Sequence, residues 1–219
     1  MISTGLQQLD KFLCGGIPSN VITDIYGANG TGKTQFLLQI SINAIKNNGN
    51  VLYLDTTGGF RPERILEMQK NQNLDMNILD KITVSRLTNT SEQVHSIKNI
   101  KNNHFSLIVI DNITDLFSYE YKTNESIFKK NSLFMRHMHD LSSFALDNNI
   151  PIVITNMIRN IEENEVENMR KAIDIFTHIK IKLSKRSTKY FGESNWLLNK
   201  LAFSYVINRS GIFEYTEDF

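Results

Sequence analysis

Eight consecutive residues, Gly27 to Thr34, read GANGTGKT and match the pattern G-x-x-x-x-G-K-[ST] at every fixed position. Glycines at 27, 30 and 32 let the backbone turn tightly. The N–H groups of the loop, from Gly27 through Ala28, Asn29, Gly30, Thr31 and Gly32, then point inward as an anion nest. A triphosphate in that nest lies at the positive end of the following helix. Lys33 brings a charge to the β and γ phosphates, and the Thr34 hydroxyl is placed to hold a Mg²⁺ that bridges them.

A loop of this kind is answered by an acid at the tip of a neighbouring strand, which holds the metal shell through water. Asp111 has that setting, after SLIVI and before Asn112. Asp55 stands in a similar place after VLYL, where a structural cap and a supporting role in the site are both open. His137 and His139 are two apart on a helical stretch, so they point to nearly opposite sides and form no metal pair. No local motif suggests a Ser/His/Asp or Cys/His nucleophile.

The elements that must position these residues follow from periodicity. Val21–Tyr26 (VITDIY) reads as a buried strand, and after Lys33 the residues Phe36, Leu37, Ile40 and Ala44 recur at helical spacing. Strand, loop, helix is the arrangement that confirms the motif. Before it, Leu6, Leu9 and Phe12 or Leu13 mark a short helix stopped by Gly15-Gly16-Ile17-Pro18. After it come a strand at Val51–Asp55, a helix at Arg61–Gln72, a brief strand at Ile82–Ser85 and a helix opened by a capping box at Thr90–Gln93. The run LIVI at Leu107–Ile110 leads to Asp111, a long helix is predicted over Glu125–Asp147, and Pro151 opens IPIVIT. These strands are continuous apolar runs, as a parallel sheet covered on both faces requires. Ile175–Leu183, Leu197–Ile207 and Ile212–Tyr215 read as strands joined by turns, an antiparallel extension over about 174–216. Trp196 is expected to pack at its base.

The chain has 219 residues, 41% of them hydrophobic, and no repeat or linker divides it, so one α/β domain spanning 1–219 is expected. A formal net charge of +1 gives no global field towards nucleic acid or anionic membrane, so any DNA contact must be local. Cys14 is the one cysteine, which excludes an intramolecular disulfide. No secretory segment or membrane-length apolar run is present, and the expectation is a soluble, cytoplasmic protein without membrane partners.

The phosphate loop, Asp111 and their flanks together resemble the RecA/RadA recombinase superfamily, and within it the archaeal RadB-like paralogues. The resemblance rests on STGLQQLDKFLCGGIP, DTTGGFRPERI, LIVIDNITDLF, RHMHDLSSFA and PIVITN in that order, over about residues 3–156. It implies a RecA-like core with a mainly parallel sheet, ATP and Mg²⁺ as cofactors, and a part in DNA repair by recombination. Because the sequence starts at the STG block, the family's helical N-terminal domain is expected to be missing. The resemblance assigns phosphate and metal binding to Gly27, Gly30, Gly32, Lys33 and Thr34, the second acid to Asp111, and a place along the adenine to Arg64.

Two departures stand against that background. The superfamily places a glutamate two residues after the aspartate of the second strand to orient the attacking water, and this chain has Thr57. It also places a γ-phosphate-sensing glutamine after the TN of PIVITN, and this chain has Met157. A threonine is no general base near neutral pH, and losing that assistance typically costs about 10²- to 10⁴-fold in rate. The expectation is ATP binding with slow or absent hydrolysis, unless Glu63 or another acid substitutes.

The DNA-contact segments depart as well. Met157–Ala172 has no glycine and sets Glu162, Glu163, Glu165 and Glu167 against Arg159, Arg170 and Lys171, so it reads as a helix or protein-docking surface. The earlier loop, Tyr119–Lys130, keeps Lys122, Lys129 and Lys130. A second basic group, Lys180, Lys182, Lys185, Arg186 and Lys189, precedes Tyr190 and Phe191. Lys129, Lys130, Lys182, Lys185 and Arg186 are the DNA-contact candidates, against a reading as edge-protecting or solvated lysines. The leading function is an ATP-binding accessory that acts on a RadA-type recombinase or binds DNA weakly, with a homo-oligomer admitted by the resemblance. The alternatives are an active DNA-dependent ATPase and strand-exchange enzyme, or a KaiC-like regulatory ATPase that does not act on DNA.

Overall fold

In a computed structural model the described residues are 1–74, 77–100, 105–123, 126–161, 164–196 and 199–215, the side chains of 160, 161 and 164 excepted. Strands and helices alternate through most of the chain. The order is α1 (Gln7–Phe12), β1 (Ile22–Gly27), α2 (Lys33–Lys46), β2 (Val51–Asp55), α3 (Pro62–Asn71), β3 (Ile82–Arg86), α4 (Thr90–Lys98) and β4 (Leu107–Asp111). It continues with α5 (Asp115–Glu120), α6 (Ile127–Asn148), β5 (Ile152–Ile161), β6 (Asn164–Glu167), α7 (Arg170–Phe176), β7 (Thr177–Arg186), β8 (Lys189–Trp196), β9 (Asn199–Asn208) and β10 (Gly211–Glu214).

The strands form one sheet in the order β10-β9-β8-β7-β1-β5-β4-β2-β3, with β6 hairpinned onto the outer half of β5. The six strands from β7 to β3 run parallel, and β8, β9 and β10 continue the sheet antiparallel. Every residue of VLYLD and LIVID is buried, which is why these strands lack alternation. Leu9 of α1, Phe36, Leu37 and Ile40 of α2, and Ile65 and Met68 of α3 cover one face. Val94 and Ile97 of α4, Phe117 of α5, Phe134, Met138 and Leu141 of α6, and Ile173 of α7 cover the other. Each such side chain contributes about 1.5–3 kcal/mol by leaving water. The strand β3 departs from the pattern: it is the sheet edge, mostly uncovered, with Val84 40% exposed.

Several expectations are corrected. Met157–Ala172 is mostly strand, with helix only from Arg170: β5 runs on to Ile161 and pairs antiparallel with β6, Ile158 with Glu167 and Arg159 with Val166. Glu162 and Glu163 lie outside the described residues, as do the expected helix start at Glu125 and strand start at Leu197. Ile175 and Phe176 end α7 instead of beginning a strand. The α4 cap is one residue earlier than expected: the Asn89 side chain accepts from Glu92 N at 2.8 Å, while Glu92 reaches back to Thr88. The strand β8 is polar and holds Gly192, so it escaped the apolar-run criterion; a Cβ at Gly192 would lie 2.1 Å from the Phe203 ring. Trp196 packs edge-on to Phe12 at 6.4 Å, beside the core. No helix among the described residues is long and apolar enough to cross a membrane.

Candidate functional site

Strand β1 ends at Gly27 and α2 begins at Lys33, so the phosphate loop bridges the centre of the sheet to a buried helix. Two of its glycines are enforced by neighbours. A Cβ on Gly27 would lie 2.1 Å from the Leu183 carbonyl oxygen of β7, and one on Gly32 (φ +92°) would lie 2.5 Å from Ile207 Cδ1 of β9. The Thr31 hydroxyl donates to the Ala28 carbonyl (2.8 Å), and the Thr31 carbonyl accepts from the Tyr205 hydroxyl (2.5 Å). Burial raises the Tyr205 pKa and keeps that donor protonated. The antiparallel extension therefore braces the loop from below.

Lys33 folds back on the loop, donating to the carbonyls of Gly27 (2.8 Å) and Ala28 (2.9 Å). Burial lowers its pKa, while the charges of Asp111 and Asp115 oppose that shift. Asp111 is 3% exposed at the end of β4. Its Oδ2 accepts from the Thr34 hydroxyl (2.7 Å) and the Tyr53 hydroxyl (3.0 Å), and its Oδ1 accepts from the Thr155 hydroxyl (2.5 Å). Burial, reinforced by the Asp111 charge, holds the Tyr53 pKa well above its ordinary value, so Tyr53 stays a donor. Charge-assisted bonds of this kind are about twice as strong as neutral ones, and they fix where the carboxylate points.

This donor set fits magnesium. A hydroxyl and a carboxylate stand side by side, and among the described residues no cluster of three His, Cys, Asp or Glu forms an all-protein cage. Mg²⁺ is usually held by one or two carboxylates with phosphates and water completing the shell. Thr34 and Asp111 would hold it here. The cavity over the loop has a volume of about 530 Å³, within the range of small-ligand sites. It extends from Asn29 and Gly30 past Lys33 and Thr34 to Thr57 and Met157.

Asp55, left open by the sequence, has a structural role. Its Oδ1 accepts from the N–H groups of Thr57 (3.0 Å), Gly58 (2.7 Å) and Gly59 (3.2 Å), and its Oδ2 from that of Phe60 (3.2 Å). Burial works against its charge, but these N–H groups outweigh burial and hold the carboxyl below its ordinary range. The turn so shaped presents Thr57 to the cavity, with its hydroxyl 3.2 Å from Asp55 Oδ1. Met157 enters from β5, its N–H held by Asn156 Oδ1 at 2.8 Å. Neither residue brings a carboxylate or an amide, and Glu63, on α3, is not among the lining residues.

Asp115, at the start of α5, is a charged lining residue that sequence reasoning missed. Burial and then the Asp111 charge raise its pKa, opposed by Lys33 and Arg159. The available signal was the second acid four residues into DNITD. Tyr53, Thr155 and Gln35 were missed too, because their roles depend on which strands and helices adjoin.

Arg64 is committed to protein groups. Its Nε donates to Gln35 Oε1 at 2.6 Å, and its terminal nitrogens reach Glu67 and the carbonyls of Asn208, at the end of β9, and Arg209, in the turn that follows. It borders the cavity only through Gln35. The basic candidates fall on separate elements. Lys129 and Lys130 occupy the first turn of α6, whereas Lys182, Lys185 and Arg186 lie on β7. Lys182 pairs with Glu165 at 3.0 Å, Lys185 sits 5.1 Å from the Tyr190 ring centroid, and Arg186 sits 5.8 Å from that of Phe191.

Comparison with known proteins agrees with this geometry. The Rad51 family model matches residues 1–184. The DNA repair and recombination protein RadA of Aeropyrum pernix is 34% identical over 168 residues, covering 72% of this chain and 53% of that protein. RadA of Metallosphaera sedula is 34% identical (72% of this chain, 52% of that protein), and RadA of Cenarchaeum symbiosum is 35% identical (72% and 42%). The chain thus spans about half the length, or less, of these relatives.

Proposed function

The chain belongs to the Rad51 family, and on that premise we propose that it is a RadB-like ATP-binding accessory of DNA repair by homologous recombination, acting in the cytoplasm. In this reading it binds Mg–ATP, hydrolyses it slowly or not at all, and modulates a RadA-type recombinase, with local DNA contacts. The observation that carries the proposal is the asymmetry of the cavity. The phosphate loop, Lys33, Thr34 and the buried Asp111 meet in it, while Thr57 and Met157, which line it too, are the residues that the resemblance matches to the superfamily's catalytic glutamate and sensor glutamine.

Lys33 would leave its loop carbonyls for the phosphates, and the loop N–H groups would carry the remaining charge. Magnesium, when bound with the nucleotide, neutralises phosphate charge and makes the γ-phosphorus more electrophilic. The chain's own residues then hold the nucleotide without a positioned base to take a proton from water. The bound state thereby persists, which suits a conformational switch better than a motor.

The test pairs ATP binding with hydrolysis. Wild type is expected to bind ATP at sub-millimolar concentration, and Lys33→Ala to lose at least about tenfold in affinity, the scale of a charged hydrogen bond. Turnover is expected to stay slow with or without single-stranded DNA. Fast, DNA-stimulated turnover would select the recombinase reading, and nucleotide binding with neither DNA nor RadA-type recombinase bound would select the KaiC-like one.

A further inference from the structure

Thr31 and Gly32 share one peptide whose two ends have unlike surroundings. Gly32 lines the cavity over the phosphate loop, whereas Thr31 is 1% exposed and does not. A trans peptide is planar, so its carbonyl and its N–H point in opposite directions. The Thr31 carbonyl is turned into the protein, where the Tyr205 hydroxyl of β9 donates to it at 2.5 Å. The N–H at the other end of that peptide, carried by Gly32, is thereby turned towards the cavity.

Gly32 by itself does not keep this orientation. Its φ is +92°, and a flip of the peptide by half a turn would carry φ to about −90°, which glycine adopts about as readily. The flipped peptide would set a carbonyl oxygen against the phosphates where an N–H had stood, exchanging attraction for repulsion. The Thr31 hydroxyl is no help, because it is engaged with the Ala28 carbonyl at 2.8 Å. A restraint on the Thr31 carbonyl must therefore come from outside the loop.

Tyr205 is placed to supply it. The residue is 1% exposed, and its ring packs against those of Tyr190, with centroids 5.4 Å apart, and Phe203, at 6.1 Å. The hairpin that carries it is tied to α2, the helix that the loop opens. Gln39 of α2 donates through Nε2 to the Ile212 carbonyl (2.9 Å) and accepts through Oε1 from the Ile212 N–H (2.6 Å). Burial raises the Tyr205 pKa, so the phenol remains a donor.

We propose that Tyr205 is a positioning residue of the phosphate site, whose hydroxyl locks the Thr31–Gly32 peptide so that the Gly32 N–H donates to the polyphosphate of a nucleoside di- or triphosphate. The proposal rests on the nucleotide-binding reading and adds to it a residue far outside the motif. Tyr205 does not line the cavity and acts on the ligand through one peptide. Phenylalanine at this position keeps the ring packing and releases the peptide. Loop N–H groups of this kind cradle phosphates that ADP and ATP have in common, so both nucleotides are affected alike.

The test is calorimetric titration of the full chain with Mg–ADP and Mg–ATP, wild type against Tyr205→Phe, at a temperature where both are folded. The variant is expected to bind both nucleotides about tenfold more weakly, the scale of one charged hydrogen bond. The Gly32 amide proton, followed by NMR, is expected to move downfield when wild type binds Mg–ADP and to move less in the variant. Tyr190→Phe removes a hydroxyl from the neighbouring ring and is expected to keep wild-type affinity. A Tyr205→Phe protein that is less stable to urea yet binds as wild type does reduces Tyr205 to packing and overturns the proposal. So does a loss confined to ATP, or a Gly32 amide that Mg–ADP leaves unmoved in wild type, an observation that needs no variant to fold. Wild type that binds neither nucleotide overturns the nucleotide reading and the proposal together, while tight wild-type binding with an unaffected Tyr205→Phe overturns the proposal alone.

Discussion

The Thr34 hydroxyl donates to Asp111 Oδ2 across 2.7 Å, although the two residues lie 77 positions apart on different elements. That bond joins the first residues of α2 to the tip of β4 and defines the corner where metal and phosphate would meet. Asp111→Asn keeps the size and loses the charge. It is expected to abolish most of the gain in ATP affinity that magnesium confers while leaving metal-free binding nearly unchanged, as read by titration with and without Mg²⁺. Asp111→Ala is expected to cost stability as well, about 1–3 kcal/mol for each buried hydroxyl left without an acceptor, with Tyr53 and Thr155 the buried ones.

Asp115 places a second carboxylate in the cavity that receives the phosphates. Like charges repel, and a half-buried carboxylate is poorly screened. Asp115→Asn is expected to tighten ATP binding several-fold, more at low salt than at high salt, as measured by calorimetry. An unchanged or weaker affinity would mean that Asp115 faces away from the phosphates or helps to hold the metal.

His137 sits fully buried on α6, stacked on Phe117 with ring centroids 6.1 Å apart and no hydrogen-bond partner for either nitrogen. Burial pushes its pKa down from 6.5 to about 4, against a weaker opposing pull from Asp140. The folded pKa is below the unfolded one, so the unfolded chain binds more protons between them. Stability is full above pH 6.5 and falls as pH drops towards 4, by about 3 kcal/mol in all for this residue. Urea unfolding across that window, wild type against His137→Phe, isolates the effect: the phenylalanine variant is expected to show a correspondingly flatter dependence.

Lys180 on β7 donates to Glu167 and to Asp174 (2.5 Å) and stands 3.8 Å from Asp24 Oδ2. Burial and then the Glu167 charge hold the Asp24 pKa well above the carboxylate range. One cation thus serves β1, β6 and α7. Lys180→Met is expected to destabilise by about 3–5 kcal/mol, because it strands the buried Glu167 without a counter-charge. Glu167 also accepts from Asn156, the residue before Met157, so the same variant is expected to loosen the β5–β6 hairpin, seen as faster amide exchange over 156–168.

How much of this was legible beforehand depended on range. The loop from Gly27 to Thr34 and the acid after LIVI carry their signal in a few adjacent residues, and the structure brings them together as their chemistry requires. Asp115 carried only a second acid in DNITD, and Thr155 carried no signal, since lining a cavity or bonding Asp111 is fixed by strand order and not by neighbours in sequence. Strand β8 was missed for a related reason: it buries Gly192 and Ser194 against the core where other strands bury leucine or isoleucine. The hairpin at Met157–Glu167 looked helical from its charge, yet β5 continues straight out of the sheet and its pairing with β6 overrides local preference.

The central claim is that the site grips Mg–ATP and lacks the group that would activate water, and Thr57 is the residue on which it turns. Thr57 is exposed on the turn held by Asp55 and faces the cavity, so a longer acid can be placed there without disturbing the core. Single-turnover hydrolysis of prebound ATP by wild type and Thr57→Glu is the direct measurement. A slow wild type and a variant faster by roughly 10²-fold or more is the predicted result; a wild type that already turns over rapidly, or is slowed by the added glutamate, contradicts it.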